Sequence, residues 1–243
     1  MKSIQKRKMK KLGSGMFVTA KVILPTKRDA TKRVSLAGKV FKKISGTYTL
    51  PEGIRTKKII LEYLQKLGDA RVKTLQTKVR LIKTPKNKLQ LIMLQTQIAK
   101  EDLLINRIKK CSPTEALNFF EQMVRNIQKI EEYNKHHSAK IGLDIRLKNF
   151  GVINNELVLI DLYPAYLQGE QKIQIGDISQ RKRGVIRKIK KHLSLKNVEK
   201  KAENTIRRRM DSKITMKEMI EKFISRRPEL KNQFLQKYAS MVN

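Results

Sequence analysis

The segment from Ile141 to Tyr163 constrains this chain more than any other. Phe150-Gly151-Val152-Ile153 and Glu156-Leu157-Val158-Leu159-Ile160 are short apolar runs separated by Asn154-Asn155. Asn tolerates positive φ, so the pair predicts a two-residue hairpin turn. A hairpin brings the end of its second strand back to where the first began. Asp161, at that end, is therefore expected beside Asn149, and Asp144 lies five residues before Asn149. Three oxygen-bearing side chains would then gather at one end of a rigid element. A hard cation such as Mg²⁺ suits that set, with water and phosphate oxygens completing its shell.

The chain around this hairpin changes texture. Leu12 to Leu24 reads as a strand, a tight turn at Gly13-Ser14-Gly15 and a second strand. Val34 to Ile44 reads as a third strand. Ile54 to Leu67 is predicted helical, with Ile59, Ile60, Tyr63, Leu64 and Leu67 on one stripe. Glu62 falls at the edge of that stripe, about 60° from Ile59. Two more strands follow near Lys78–Lys83 and Leu89–Leu94, joined by a Pro-containing turn. From about Glu101 the pattern turns helical. Ser112-Pro113-Thr114-Glu115 has the form of an N-cap with Pro at the first helical position, opening a helix to about Tyr133. The order predicts an α+β chain: a small strand-rich part over residues 1–97, then a larger helical part over residues 98–243 that holds the hairpin.

Asp144, Asn149 and Asp161 match in type, order and approximate spacing the catalytic-loop Asp-x-x-x-x-Asn and the metal-binding Asp of the protein-kinase-like superfamily. The chain resembles that superfamily, in particular its aminoglycoside phosphotransferase and choline kinase branch or its atypical protein kinases. Leu12-Gly13-Ser14-Gly15-Met16-Phe17 looks like the start of the glycine-rich loop, and Ala37-Gly38-Lys39 looks like the third-strand lysine site. The resemblance spans roughly residues 10–165. It implies a two-lobed fold with an antiparallel-sheet N-lobe carrying one helix and a larger helical C-lobe, with ATP between them. By the same resemblance, Asp144 would orient or deprotonate an acceptor hydroxyl. Asn149 and Asp161 would hold Mg²⁺, and Gly13 and Gly15 would approach the phosphates. Lys39 would contact the α- and β-phosphates and pair with Glu62, and Arg146 would neutralise the γ-phosphate.

The sequence also departs from the family pattern. Val18 stands at the third glycine, Leu143 at the catalytic-loop histidine, and Asp161-Leu162-Tyr163 in place of Asp-Phe-Gly. No Ala-Pro-Glu segment follows. The last two departures argue against a regulated protein kinase of the eukaryotic type. Read without the resemblance, Gly13-x-Gly15 is also a plain hairpin turn, Lys42 or Lys43 stands equally near the Lys39 position, and Glu62 and Arg146 are also surface residues.

Charge sets the remaining expectations. The 243 residues hold 56 Lys+Arg against 21 Asp+Glu, a net charge of +35. Such a field attracts nucleotides, nucleic acid and acidic partners. Residues 176–243 alone carry 20 basic and 7 acidic side chains, with clusters at 181–183, 187–191 and 207–209. They are expected to form basic helices open to a nucleic acid or another acidic partner. Aromatics are sparse there, which disfavours base stacking. The expected function is therefore an ATP- and Mg²⁺-dependent phosphotransferase acting on a hydroxyl of a small molecule or protein. The alternative is a kinase-like binding module without turnover that holds RNA or another acidic partner. Cys111 is the single cysteine, which excludes a disulfide framework and fits a reducing, cytoplasmic setting. No apolar run is long enough for a membrane span.

Overall fold

The computed structural model describes residues 9–14, 18–24, 38–44, 46–84, 88–163, 165–169, 172–173, 204 and 207–242. The protein is a mixed α+β chain with an antiparallel sheet. The described residues within 1–61 and 75–97 form one compact unit, and those within 62–74, 98–175 and 196–243 form another.

The first unit is a five-stranded antiparallel sheet. Its strands are β1 (Met9–Ser14), β2 (Val18–Ile23), β3 (Lys39–Ile44), β4 (Thr77–Lys83) and β5 (Leu89–Thr96), in the order β1-β2-β3-β5-β4. Alternation along each strand separates two faces. The register Lys21↔Phe41↔Leu94 and Lys39↔Thr96 puts Lys39 on the face that holds Ile23, Phe41 and Ile92. Val40, Ile44, Val79, Leu91 and Met93 are buried on the other face. Helix α1 (Leu50–Asp69) approaches that second face closely at Gly53, where an added Cβ would lie 2.9 Å from Leu81 Cδ2.

Three boundaries differ from the sequence expectation for physical reasons. Gly13 and Ser14 do not form a turn; they continue β1, paired with Ala20 and Thr19, after an irregularity between Lys11 and Gly13. β3 begins at Lys39 because Gly38 takes φ +69°, outside β geometry, and donates its N–H to Ile23 O. Helix α1 starts four residues earlier than expected. Glu52 accepts from both the N–H and the hydroxyl of Thr49, the glutamate half of a capping box, and Pro51 falls in the first turn, where its missing N–H has no helical partner.

The second unit is built on helix α3 (Pro113–His136), which follows the short helix α2 (Leu104–Arg107). Ser112 Oγ accepts the Glu115 N–H at 3.2 Å, as the sequence pattern predicts; such a cap is worth about 1 kcal/mol. Helices α4 (Ser212–Arg226) and α5 (Lys231–Val242) pack on α3 through three buried rings. Phe120 lies 5.3 Å from Phe223 and 4.9 Å from Phe234. The hairpin is β7 (Phe150–Ile153) and β8 (Glu156–Leu159), turning at Asn154 and Asn155 with φ 50° and 63°. Both Asn residues thus adopt the conformation that the turn requires. Helix α3 clamps the hairpin through Gln122, which accepts Leu157 N–H at 2.8 Å and donates to Asn155 O at 3.0 Å. A small antiparallel sheet of β6 (Lys140–Ile141), β9 (Leu167–Gly169) and β10 (Lys172–Ile173) completes the unit. Among the described residues, no helix is long and apolar enough to cross a membrane.

Candidate functional site

The second unit brings Asp144, Arg146, Asn149 and Asp161 together. Residues 142–146 run from β6 into a single 3-10 turn, Leu147–Asn149, which delivers the chain to the hairpin. The backbone of Asn149 closes the hairpin: its carbonyl accepts Ile160 N–H at 2.8 Å and Asp161 N–H at 3.4 Å. The expected return of Asp161 to Asn149 is therefore what the backbone does. The Asn149 amide group donates to the Asp144 carbonyl at 3.4 Å, tying both ends of the five-residue spacing. Asn149 is buried and Asp161 is half-buried.

Asp144 is buried, and its carboxylate is gripped by Arg146. Arg146 Nε lies 3.0 Å from Oδ1 and 2.8 Å from Oδ2, and Nη2 also bonds Oδ2. The Arg146 backbone N–H adds a contact at 3.3 Å. The Tyr166 hydroxyl donates to Oδ2 at 3.3 Å, and Arg209 Nε lies 4.0 Å from Oδ1. Burial pushes the Asp144 carboxyl up. The bonds and charge of Arg146, with the charge of Arg209, outweigh it and hold the group below its ordinary value. Burial, then the Asp144 charge, pushes the Tyr166 phenol well up, so it remains a donor.

The loop bearing Asp144 is fixed on both sides. Gly142 donates its N–H to Tyr166 O at 2.8 Å and accepts the Tyr63 hydroxyl at 2.8 Å. Leu143, buried, donates its N–H to Arg209 O at 3.2 Å. Arg209 Nη1 is bonded to Glu218 on α4 at 2.7 Å, and Arg208 reaches the same carboxylate at 2.9 Å. Two arginines of the 207–209 cluster are thus engaged within the unit. The clusters at 181–183 and 187–191 lie outside the described residues.

Lys39 and Glu62 belong to different units. Lys39 Nζ donates to Thr96 Oγ1 at 3.0 Å across the β3–β5 pair. Glu62 has Lys66, one turn on, at 3.8 Å. On the Lys39 face of the sheet, Met9, Thr19, Lys21, Phe41, Lys43 and Gly46 line a cavity of about 460 Å³. Gly13 lies in β1, and Gly15 lies outside the described residues.

The roles of Tyr63, Tyr166 and Arg209 beside Asp144 are not legible in the sequence. Tyr63 is legible as a core position of α1, but its hydroxyl target 79 residues away is not. Arg209 is indistinguishable in sequence from its two neighbours.

A family model described as a family of unknown function, DUF6206, matches residues 26–241. The chain belongs to that family. The DUF6206 match contains Lys39, Glu62, Asp144, Arg146, Asn149 and Asp161, whereas Gly13 and Gly15 precede it. A search of curated proteins found no match.

Proposed function

We propose that this DUF6206 chain is a phosphotransferase of protein-kinase-like fold that moves the γ-phosphate of ATP to a hydroxyl of a small molecule or protein, with Mg²⁺ as cofactor. The observation that carries the reading is the closure of the hairpin on Asn149. It sets Asp161 beside Asn149 and joins both to the loop of Asp144. A carboxylate and an amide oxygen are hard donors, and Mg²⁺ takes one or two such ligands together with phosphates and water. Asn149 and Asp161 would hold the ion, which when bound neutralises charge on the transferring phosphoryl group. Asp144, kept ionised, orients the acceptor hydroxyl and is a weak base at most. Arg146, whose side chain is 41% exposed, is the cation that meets the γ-phosphate. Catalysis would rest on positioning and charge neutralisation.

The experiment compares wild type with Asp161→Ala in Mg-ATP thermal shift and in transfer of radiolabelled γ-phosphate. Loss of both in the variant supports the reading; unchanged binding and transfer sinks it.

One observation favours a second reading, a kinase-like binding module without turnover. The Arg146 fork occupies both carboxylate oxygens of Asp144. In that case Mg-ATP produces no shift in wild type, and the protein binds RNA or another polyanion with a steep salt dependence.

A further inference from the structure

Asp144 meets two arginines of unlike exposure. Arg146 is local, two residues on in the chain, and its side chain is 41% exposed. Arg209 comes from 65 residues away and is 16% exposed. Its position is fixed by the Glu218 pair through Nη1, by Leu143 N–H on its carbonyl, and by the bond from Thr215 Oγ1 to the adjacent Arg208 O at 3.2 Å. Yet its Nε–H is buried and has no hydrogen-bond partner among the described residues. It stops 4.0 Å from Asp144 Oδ1, an oxygen that Arg146 Nε already meets at 3.0 Å. A buried donor is costly to leave unpaired, so an anchored arginine with an idle N–H aimed at an occupied acceptor is a donor held in reserve.

We propose that Arg209 is the positioning residue of Asp144: when Arg146 turns away to an incoming phosphate, Arg209 Nε–H closes on Oδ1 and keeps the carboxylate in place. The inference rests on the phosphotransferase reading for what draws Arg146 away. The contact itself is testable without ATP. In this role Arg209 acts through Asp144 and not on the substrate.

The test uses the full chain labelled with ¹⁵N-arginine. The Arg209 Nε–Hε resonance, assigned by its loss in Arg209→Gln, is followed in Arg146→Ala and in the bulkier Arg146→Gln. Expected in each variant with a dispersed amide spectrum is a downfield shift of that resonance and slower exchange with water. An unmoved resonance overturns the proposal. The second arm is steady-state kinetics of Arg209→Gln, which keeps Arg146 and folds by the same criterion. A kcat lower by about 10- to 100-fold, with KM for Mg-ATP changed less than about twofold, is the signature of lost positioning. Unchanged kcat overturns the proposal and leaves the phosphotransferase reading standing. A shifted resonance in the Arg146 variants, beside a wild type that transfers no phosphate, does the reverse: the Arg209 contact stands and the phosphotransferase reading falls.

Discussion

Gly142→Ala tests how tightly the segment 207–210 is docked against the loop that carries Asp144. A Cβ on Gly142 would lie 2.8 Å from Arg209 O, 2.9 Å from Arg209 C and 3.1 Å from Arg209 Cβ. None of these is the free end of a flexible side chain. Gly142 cannot retreat, because its N–H is bonded to Tyr166 O and its carbonyl to Tyr63, each at 2.8 Å. The Arg209 backbone must therefore give way by about 0.6 Å to reach the 3.4 Å of ordinary contact. The Leu143 N–H bond to Arg209 O, already 3.2 Å, then passes beyond hydrogen-bonding range. Overpacking costs about 1–3 kcal/mol and the lost bond about 1, so the variant should be about 2–4 kcal/mol less stable. For a chain of this size that lowers Tm by roughly 5–15 °C in a calorimetric scan. Gly68→Ala is the control: nothing lies within 4 Å of its added Cβ, and it sits in α1. It should stabilise by about 0.5–1 kcal/mol. A Gly142→Ala protein that melts with wild type would refute the docking of residues 207–210 as described.

Two further outcomes follow from the same unit. Asn155→Gly should stabilise by about 0.5–1 kcal/mol in urea denaturation, because φ 63° strains any residue with a Cβ, and the Gln122 bond to its carbonyl is kept; destabilisation would mean that the Asn155 side chain itself holds the turn. Arg146→Ala should cost about 1–3 kcal/mol at neutral pH, discounted for the exposure of Arg146. The lowered Asp144 carboxyl contributes stability that is full above the unfolded value near 3.9 and is lost as pH falls through the folded value. In the variant, burial is opposed only by the Arg209 charge, the backbone N–H of residue 146 and the Tyr166 hydroxyl, so the gap to wild type should be widest near pH 7 and close below about pH 4; a pH-independent gap would show that Asp144 is not the group involved.

The legible parts of this chain were those with a local physical cause. The Ser112 cap and the first turn of α3 follow from side chains three residues apart. The Asn154-Asn155 turn follows from which residues accept positive φ. Parts whose cause is distant were not legible. β6, β9 and β10 are two or three residues long, too short to carry a period, and exist because their partners are present. Gly13 reads as a turn residue, yet pairing with Ala20 keeps it in a strand. Thr49 and Glu52 did carry a start signal for α1, which Pro51 between them obscured.

The candidate site divides in the same way. Read alone, the sequence returns Asp161 to Asn149, because a two-residue turn leaves a hairpin no other place to end. It also determined the excess of positive charge, which is a sum over residues. Which arginines serve Asp144 is set by packing. Arg146 is two residues away, but its fork could have faced solvent; burial of the carboxylate makes the pairing favourable. Arg209 is chosen from three successive arginines by the side of the chain on which Glu218 and Leu143 hold it. Tyr63 and Tyr166 arrive from segments 81 residues before and 22 residues after Asp144 in the chain. A buried carboxylate selects its partners by distance in space, and that distance is set by packing.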